Sequence, residues 1–279
     1  MLTLNTDQLS TQEIQQYLQY AIAPRPICFA STIDLEGNVN LSPFSFFNLF
    51  SMNPPICIFS PSRRVRDNTT KHTLENIKEV PECVINIVNY NMVQQVSLSS
   101  CDYPKGTSEF TKAGFTELAS ELVRPPRVAE SPIQLECIVQ EVIALGAQAG
   151  AGNLVLAEIK KIHLHESILD ASNHIDQAKL DLVARLGGDW YARITEANLF
   201  KVEKPNTKLG IGFDQLPIAI KESIVFTANE KAQLANTNNA PSSNTIKDLK
   251  LSSENIQQIK AALSNNDTER AWAIIQTLV

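Results

Sequence analysis

The 279 residues, 43% hydrophobic and 19% charged, carry enough apolar weight to bury a sizeable core, and they suit one large domain or one domain with an extension. A formal net charge of −6 speaks against a general nucleic-acid binder, which advertises itself as an excess of Lys and Arg. No apolar run reaches the ~18 residues of a membrane span, and the first residues, with Asp7 and Glu13, lack the apolar stretch of a signal peptide; the cytoplasm is the expected compartment, with neither nucleic acid nor membrane as a partner.

Taken in chain order, residues 7–20 read as a helix, with Asp7 or Ser10 as N-cap and Leu9, Ile14, Tyr17 and Leu18 as its stripe. The period then changes. Runs rich in Val, Ile, Leu and Phe at 27–33, 56–59, 83–88, 135–145 and 154–164 are bounded by Pro, Gly, Asn or Ser, the pattern of strands. Asp34 to Asn38 reads as a hairpin turn with Gly37 free to take a positive φ. Helical patterns at 70–80 and 91–98 do not alternate with strands in βαβ order, which disfavours a doubly wound sheet. In 154–164 the apolar positions switch from odd (Val155, Ala157, Ile159) to even (Ile162, Leu164), so a bulge near Lys160 and Lys161 is expected, one that keeps a single face inward. Bulged antiparallel strands suit a barrel.

From 228 to 247 Asn, Ala, Ser, Thr and Lys dominate, and a mobile linker is expected. Beyond it Ile256, Ile259 and Leu263 share a helical face, and Asn266 with Glu269 forms a cap-like pair ahead of Ala271, Ile275 and Leu278. These helices could cover the barrel, a partner subunit or another protein. The expected division is therefore a β-rich domain over 1–205 and a linker with a helical extension over 206–279.

Five cysteines, at 28, 57, 83, 101 and 137, are odd in number and widely spaced, so neither a disulfide framework nor a CxxC pair is indicated. All but Cys101 sit in apolar runs and read as small core side chains. His163 and His165 alternate along one strand face, but no carboxylate or cysteine at ligand spacing joins them, so packing is favoured over a metal. Gly187-Gly188 lacks the GxGxxG pattern of a dinucleotide loop. Trp190 and Tyr191 could edge a binding site or a subunit interface.

Positive charge is concentrated at Arg63, Arg64, Arg66 and Lys71, interrupted by Asp67, just before Thr69, Thr70 and Thr73 at the start of an amphipathic helix. Two readings stand: a capped helix with a solvated charged face, or a phosphate site made of free amides, helix dipole, hydroxyls and a lysine. Upstream, Asn40-Leu-Ser-Pro-Phe-Ser-Phe-Phe-Asn48 reads as a loop that could seat a flat, edge-polar ring. Ser42, Ser45 and Asn48 supply polar groups and Phe44, Phe46 and Phe47 supply walls, although each Phe could equally be a core residue. Phosphate grip and ring slot together describe a mononucleotide.

Ala23-Pro-Arg-Pro26, Ser31-Thr32, the Gly37 turn, Asn40 to Asn48, Pro54-Pro55, Lys71-His-Thr-Leu-Glu-Asn-Ile77, Asp102 to Gly114, Leu135-Glu-Cys137 and Arg185-Leu-Gly-Gly188 with Tyr191 resemble the flavin reductase-like proteins of the FMN-binding split-barrel family, over roughly residues 20–203. The resemblance implies a mainly β fold with flanking helices, a split β-barrel, plus a short helical C-terminal extension. It places Asn40, Ser42, Ser45 and Asn48 along an isoalloxazine with Phe44 nearby, and Ser60, Lys71 and Thr73 on the phosphate. Arg25 fits a structural ion pair or a ligand contact. His72 stands where the family commonly has Asp. The resemblance further implies FMN as cofactor, NADH or NADPH as electron donor, a homodimer and a possible monooxygenase partner. No nucleophile, base and orienter set is visible in the sequence, as expected where a flavin does the chemistry. A non-catalytic FMN-binding or sensor module and a flavoprotein oxygenase with its own organic substrate are the alternatives.

Overall fold

The computed structural model describes residues 1–206, 209–238 and 251–278. It divides into two compact units, Met1–Leu199 and Phe200–Val279. The first unit opens with α1 (Thr11–Ala21). Of the two expected caps Ser10 takes the role, in a reciprocal capping box with Glu13, worth about 1 kcal/mol. Asp7 lies in a short 3₁₀ turn instead.

Four strands follow, β1 (Cys28–Ile33), β2 (Val39–Phe44), β3 (Phe47–Met52) and β4 (Pro55–Phe59), then α2 (His72–Glu79), β5 (Glu82–Ile87), α3 (Val93–Leu98) and α4 (Glu109–Ala113). After the two-residue strands β6 (Glu117–Leu118) and β7 (Arg127–Val128) come the long pair β8 (Ile133–Ala144) and β9 (Asn153–Leu164), then α5 (Gln177–Leu180), β10 (Val183–Arg185) and β11 (Tyr191–Arg193). Seven strands form one antiparallel sheet in the order β2-β1-β5-β8-β9-β4-β3. The expected Asn40–Asn48 loop is instead the end of β2 and the start of β3, broken only at Ser45 and Phe46; pairing of β2 with β1 and of β3 with β4 outweighed the loop-forming residues. Pro43 sits on the edge strand β2, where its missing N–H costs no ladder bond.

Strand β1, between the edge strand β2 and β5, is buried on both faces. Cys28 and Ala30 join Cys57, Phe59, Cys83, Ile85, Cys137, Val155 and Ala157 in one core, while Ile27 and Phe29 join Val88, Met92, Val96, Phe110 and Phe115 in another, beneath α3 and α4. Phe44, on an edge strand, packs against Phe59 near the opposite edge, with ring centroids 5.4 Å apart. The sheet must therefore curl on itself, and the first core is the interior of a barrel. Four of the five cysteines are in that interior, free and buried, and Cys101 is exposed.

Gly37 adopts φ +89° in the β1–β2 turn, which Asp34 braces through the amides of Glu36 and Asn38. The bulge in β9 falls at Lys160, between the partners of Glu136 and Cys137. It does not, however, return Ile162 and Leu164 inward: they are 60% and 37% exposed. The side turned to the protein carries His163, whose Nε2 lies 2.6 Å from the fully buried Glu136. Glu136 also accepts the amides of Glu121, Leu122 and Val123, at 2.9, 2.6 and 3.3 Å. An ionised carboxylate with four donors in a dry setting outranks two leucine-type contacts.

The second unit contains α6 (Ile218–Lys221), α7 (Ala228–Ala235), α8 (Ser253–Ser264) and α9 (Thr268–Gln276). Residues 228–235, expected within a linker, are helical. Thr227 and Glu230 form a capping box, and Leu234 faces a core with Ile220, Ile259, Leu263, Trp272 and Ile275. The rest of the expected linker, from 239 to 247, lies outside the described residues. The last helix is capped by Asp267, which accepts the Arg270 amide at 2.9 Å, and not by Asn266, which takes φ +57°. The C-terminal helices thus bury their stripes against α7 within their own unit. Among the described residues no helix is long and apolar enough to cross a membrane.

Burial alone would push the Glu136 carboxyl up, but the Glu121 and Leu122 amides and His163 outweigh it and hold it below the usual carboxylate range. A depressed folded value contributes stability above the unfolded carboxyl pKa of ~4.3, lost as pH falls through the folded value. Glu136→Gln is expected to lower stability by about 3 kcal/mol at pH 7. In urea unfolding at a series of pH values, the gap to the native chain should close on the acid side of the carboxylate range.

Candidate functional site

The closure of the sheet leaves a cleft of about 840 Å³ at one end of the barrel, within the first unit. The ends of β2 and β4 form its floor, with Phe44, Ser45, Phe46 and Ser60. The segment after β4 brings Arg63, Arg64, Arg66 and Lys71, and α1 stands over the cleft as an apolar wall of Ile14, Leu18 and Ile22. Although amphipathic, α1 buries none of its residues; its stripe faces the cleft.

Arg25 sets this wall in place. Its guanidinium donates to the carbonyls of Gln19 and Ile22, both at 2.6 Å, to that of Leu186 at 2.9 Å, and more weakly to Ser45 Oγ at 3.4 Å. Among the described residues it forms no ion pair; it fastens the C-terminal end of α1 to the turn between β2 and β3 and to the Leu186 carbonyl while lining the cleft. Burial, then the neighbouring Arg185, lower its pKa from the ordinary arginine value. The glycine pair serves the same junction: a Cβ on Gly187 would lie 2.2 Å from the ring of Tyr20. Those glycines are a seat for an α1 aromatic.

The basic segment is a compact loop and not a row of solvated side chains. Arg63 is bonded to Asn68, which adopts φ +57°, and Asn68 Nδ2 reaches Ala147 O at 3.1 Å. Arg64 and Arg66 both pair with Asp102, which brings the 99–103 segment to the cleft. Lys71 is half-buried beside them. Burial first, then Arg64, lower its pKa, which Asp102 in part opposes. On the far side Gly152 lets the β8–β9 hairpin approach closely: a Cβ there would lie 2.7 Å from Ser60 Oγ, and Ser60 Oγ accepts the Asn153 amide at 3.1 Å.

Of the eight residues expected to hold a ligand, Phe44, Ser45, Ser60 and Lys71 line the cleft. Asn40, Ser42 and Thr73, with Lys71 again, line a small polar pocket of about 20 Å³ beside it, room for about one water. Asn48 lines neither. It is exposed on β3, and its Oδ1 accepts the adjacent Leu49 amide at 2.8 Å. Phe44 is in the barrel core, so it forms the floor more than a wall. Thr73 is 1% exposed and donates its hydroxyl to Asn40 Oδ1 at 2.6 Å, so that hydroxyl is not free for a ligand. The start of α2 has no side-chain cap, and the amides of His72 and Thr73 have no acceptor within the helix. These amides remain as donors. Arg25 was open to a ligand contact, whereas Asp102, Ser62 and the α1 stripe were not legible as site residues. The helical period of α1 was the one available signal, since an amphipathic helix must present its stripe to something.

A cleft with an apolar wall on one side, serines on its floor and a cluster of cations at one end accepts an elongated, partly apolar anion. A model of the flavin reductase like domain matches residues 20–179, more than half of the chain, and the chain belongs to that family. A protein of Halalkalibacterium halodurans is 36% identical over 206 residues, spanning 73% of this chain and 97% of that protein. Among solved structures, nitrilotriacetate monooxygenase component B from Bacillus cereus superposes with a TM-score of 0.67 at 28% identity, over 72% of this chain and 98% of that one. A split barrel-domain protein of Shewanella frigidimarina superposes at 0.61 with 25% identity, over 71% and 95%. The 2-nitrobenzoate 2-nitroreductase of Pseudomonas fluorescens, at 24% identity, shares the fold with a TM-score of 0.66 over 76% and 100%. The first unit is a split barrel of this family.

Proposed function

We propose that the first unit binds FMN in the 840 Å³ cleft and acts as an NADH- or NADPH-dependent flavin oxidoreductase. The observation that carries this reading is the polarity of the cleft: an apolar α1 wall and serine floor along its length, and Lys71, Arg64 and the uncapped start of α2 at one end. That arrangement suits a ring system at one end and a phosphate at the other. Membership of the flavin reductase-like family supports the same cofactor.

On this reading Lys71 and the first amides of α2 hold the phosphate with Ser60 near it, while Ser45 and Phe46 border the ring. Asn40, Ser42 and Thr73 support the phosphate end from the small pocket. Asn48 is left out of direct contact. Bound FMN would accept a hydride from the nicotinamide and release electrons singly or in pairs. The chain orients the ring, keeps water from one face through Ile14, Leu18 and Ile22, and supplies positive charge where the anionic cofactor sits. The name of the Bacillus cereus relative, a monooxygenase component, supports an oxygen-activating partner as recipient of the electrons. The edge strand β3 carries Leu49, Phe50 and Met52, at 48%, 65% and 78% exposure. Exposed apolar edges are covered in working proteins, which supports a homodimer across this edge.

The purified protein should be yellow, and anaerobic NADH or NADPH should bleach it; a protein that neither donor bleaches would be a flavin carrier, not a reductase. Lys71→Ala should weaken FMN binding about tenfold, the order of one charge-assisted contact, and leave riboflavin within twofold, as read by flavin fluorescence. Sedimentation should show a dimer that Phe50→Glu converts to monomer, and a monomeric native chain would remove the edge-pairing proposal.

A further inference from the structure

Behind the phosphate end of the cleft runs a buried polar chain of three side chains from three elements. Glu109, in the first turn of α4, is 4% exposed; Asn40, on β2, is 7% exposed; Thr73, in the first turn of α2, is 1% exposed. Glu109 Oε1 accepts Asn40 Nδ2 at 2.8 Å and its Oε2 accepts the Leu41 amide at 2.8 Å. Asn40 Oδ1 in turn accepts the Thr73 hydroxyl at 2.6 Å.

The direction of every bond in this chain follows from one charge. An ionised carboxylate can only accept, so Asn40 must turn its NH₂ toward Glu109. Its carbonyl then faces α2, and Thr73 must donate. The hydroxyl proton of Thr73 is thereby committed inward, and the first turn of α2 is tied at its second residue to the edge of the sheet. A neutral group of the same size at 109 removes that instruction. One of its two positions would then be an NH₂ facing a donor, Asn40 would be free to turn over, and Thr73 would lose its fixed acceptor.

We propose that Glu109 is a positioning residue for the phosphate end of the cleft. Acting through Asn40 and Thr73, it holds the first turn of α2 so that Lys71 and the amides of His72 and Thr73 face the ligand. This rests on the reading that the cleft holds FMN by its phosphate. Glu109 lines only the small pocket beside the cleft and not the cleft itself, so its effect is on the phosphate end and not on the ring.

The test is the dissociation constant of FMN and of riboflavin for the native chain, Glu109→Gln, Thr73→Val and the double variant, each checked for native circular dichroism. Native protein is expected to prefer FMN. Glu109→Gln should weaken FMN about tenfold and Thr73→Val about fivefold, with riboflavin within twofold throughout. The double variant should lose no more than Glu109→Gln alone, since residues acting through one chain are not additive. If Glu109→Gln does not fold, Thr73→Val, which leaves the Glu109 to Asn40 bond in place, carries the same split between the two flavins. Equal losses for FMN and riboflavin, additive losses, or an FMN preference unchanged in both single variants would overturn the proposal while leaving the cofactor reading in place. A native chain that binds FMN no better than riboflavin overturns the phosphate reading and the role of Glu109 together.

Discussion

The contact between Phe44 and Phe59 is the constraint on which the first unit depends. A seven-stranded antiparallel sheet with apolar side chains on both faces of β1 cannot remain flat in water, and curling brings β2 over β4. Each of these strands ends just where the two rings meet. The chain leaving Phe44 therefore supplies Ser45 and Phe46, the chain leaving Phe59 supplies Ser60 and the basic loop, and both are delivered to the same mouth of the barrel. The cleft is a consequence of how the sheet closes.

Throughout the first unit charged groups hold backbone. Arg25 donates to three carbonyls and so carries α1 onto the cleft. Glu136 accepts three amides and so carries the 121–123 segment onto the sheet, and Glu109 accepts the amide of Leu41 alongside Asn40. A buried charge is satisfied largely by such backbone partners, although Glu136 also has His163 at 2.6 Å and the Arg127 guanidinium at 4.0 Å. Burial raises the pKa of the Glu109 carboxyl above its ordinary range, against the amides and Asn40 that lower it, whereas the larger donor set at Glu136 reverses that balance. Arg64 and Arg66 are the contrast. They share Asp102, half exposed at the rim, where an incoming anion can compete for them.

The second unit shows a different economy of structure. Four short helices bury Ile220, Leu234, Ile259, Leu263, Trp272 and Ile275 together, and the Trp272 indole N–H reaches the Leu234 carbonyl at 2.9 Å. The Ala228–Ala235 segment, polar and lacking aromatics, becomes a helix because its capping box supplies the start and this core accepts its one leucine. Composition argued for a linker; packing made it a helix, the override expected where local preference is weak.

Much of the molecule was legible along the chain. Apolar runs bounded by turn residues marked five of the seven strands of the sheet, turn residues marked the Gly37 turn, and a switch in alternation marked the bulge at Lys160, because these depend on neighbours within a few residues. The clustering of Arg63, Arg64, Arg66 and Lys71 marked the charged end of the cleft for the same reason. What the tertiary structure alone decided were the partners: that Thr73 spends its hydroxyl on Asn40, that Asn40 answers to Glu109, that Asn48 turns away, that four distant cysteines share one barrel interior, and that α1 lends its stripe to the cleft. The partners in the polar chain are 33 and 69 residues apart. A local period reports which face of an element is apolar, but which group meets which across such distances is set by the closure of the sheet.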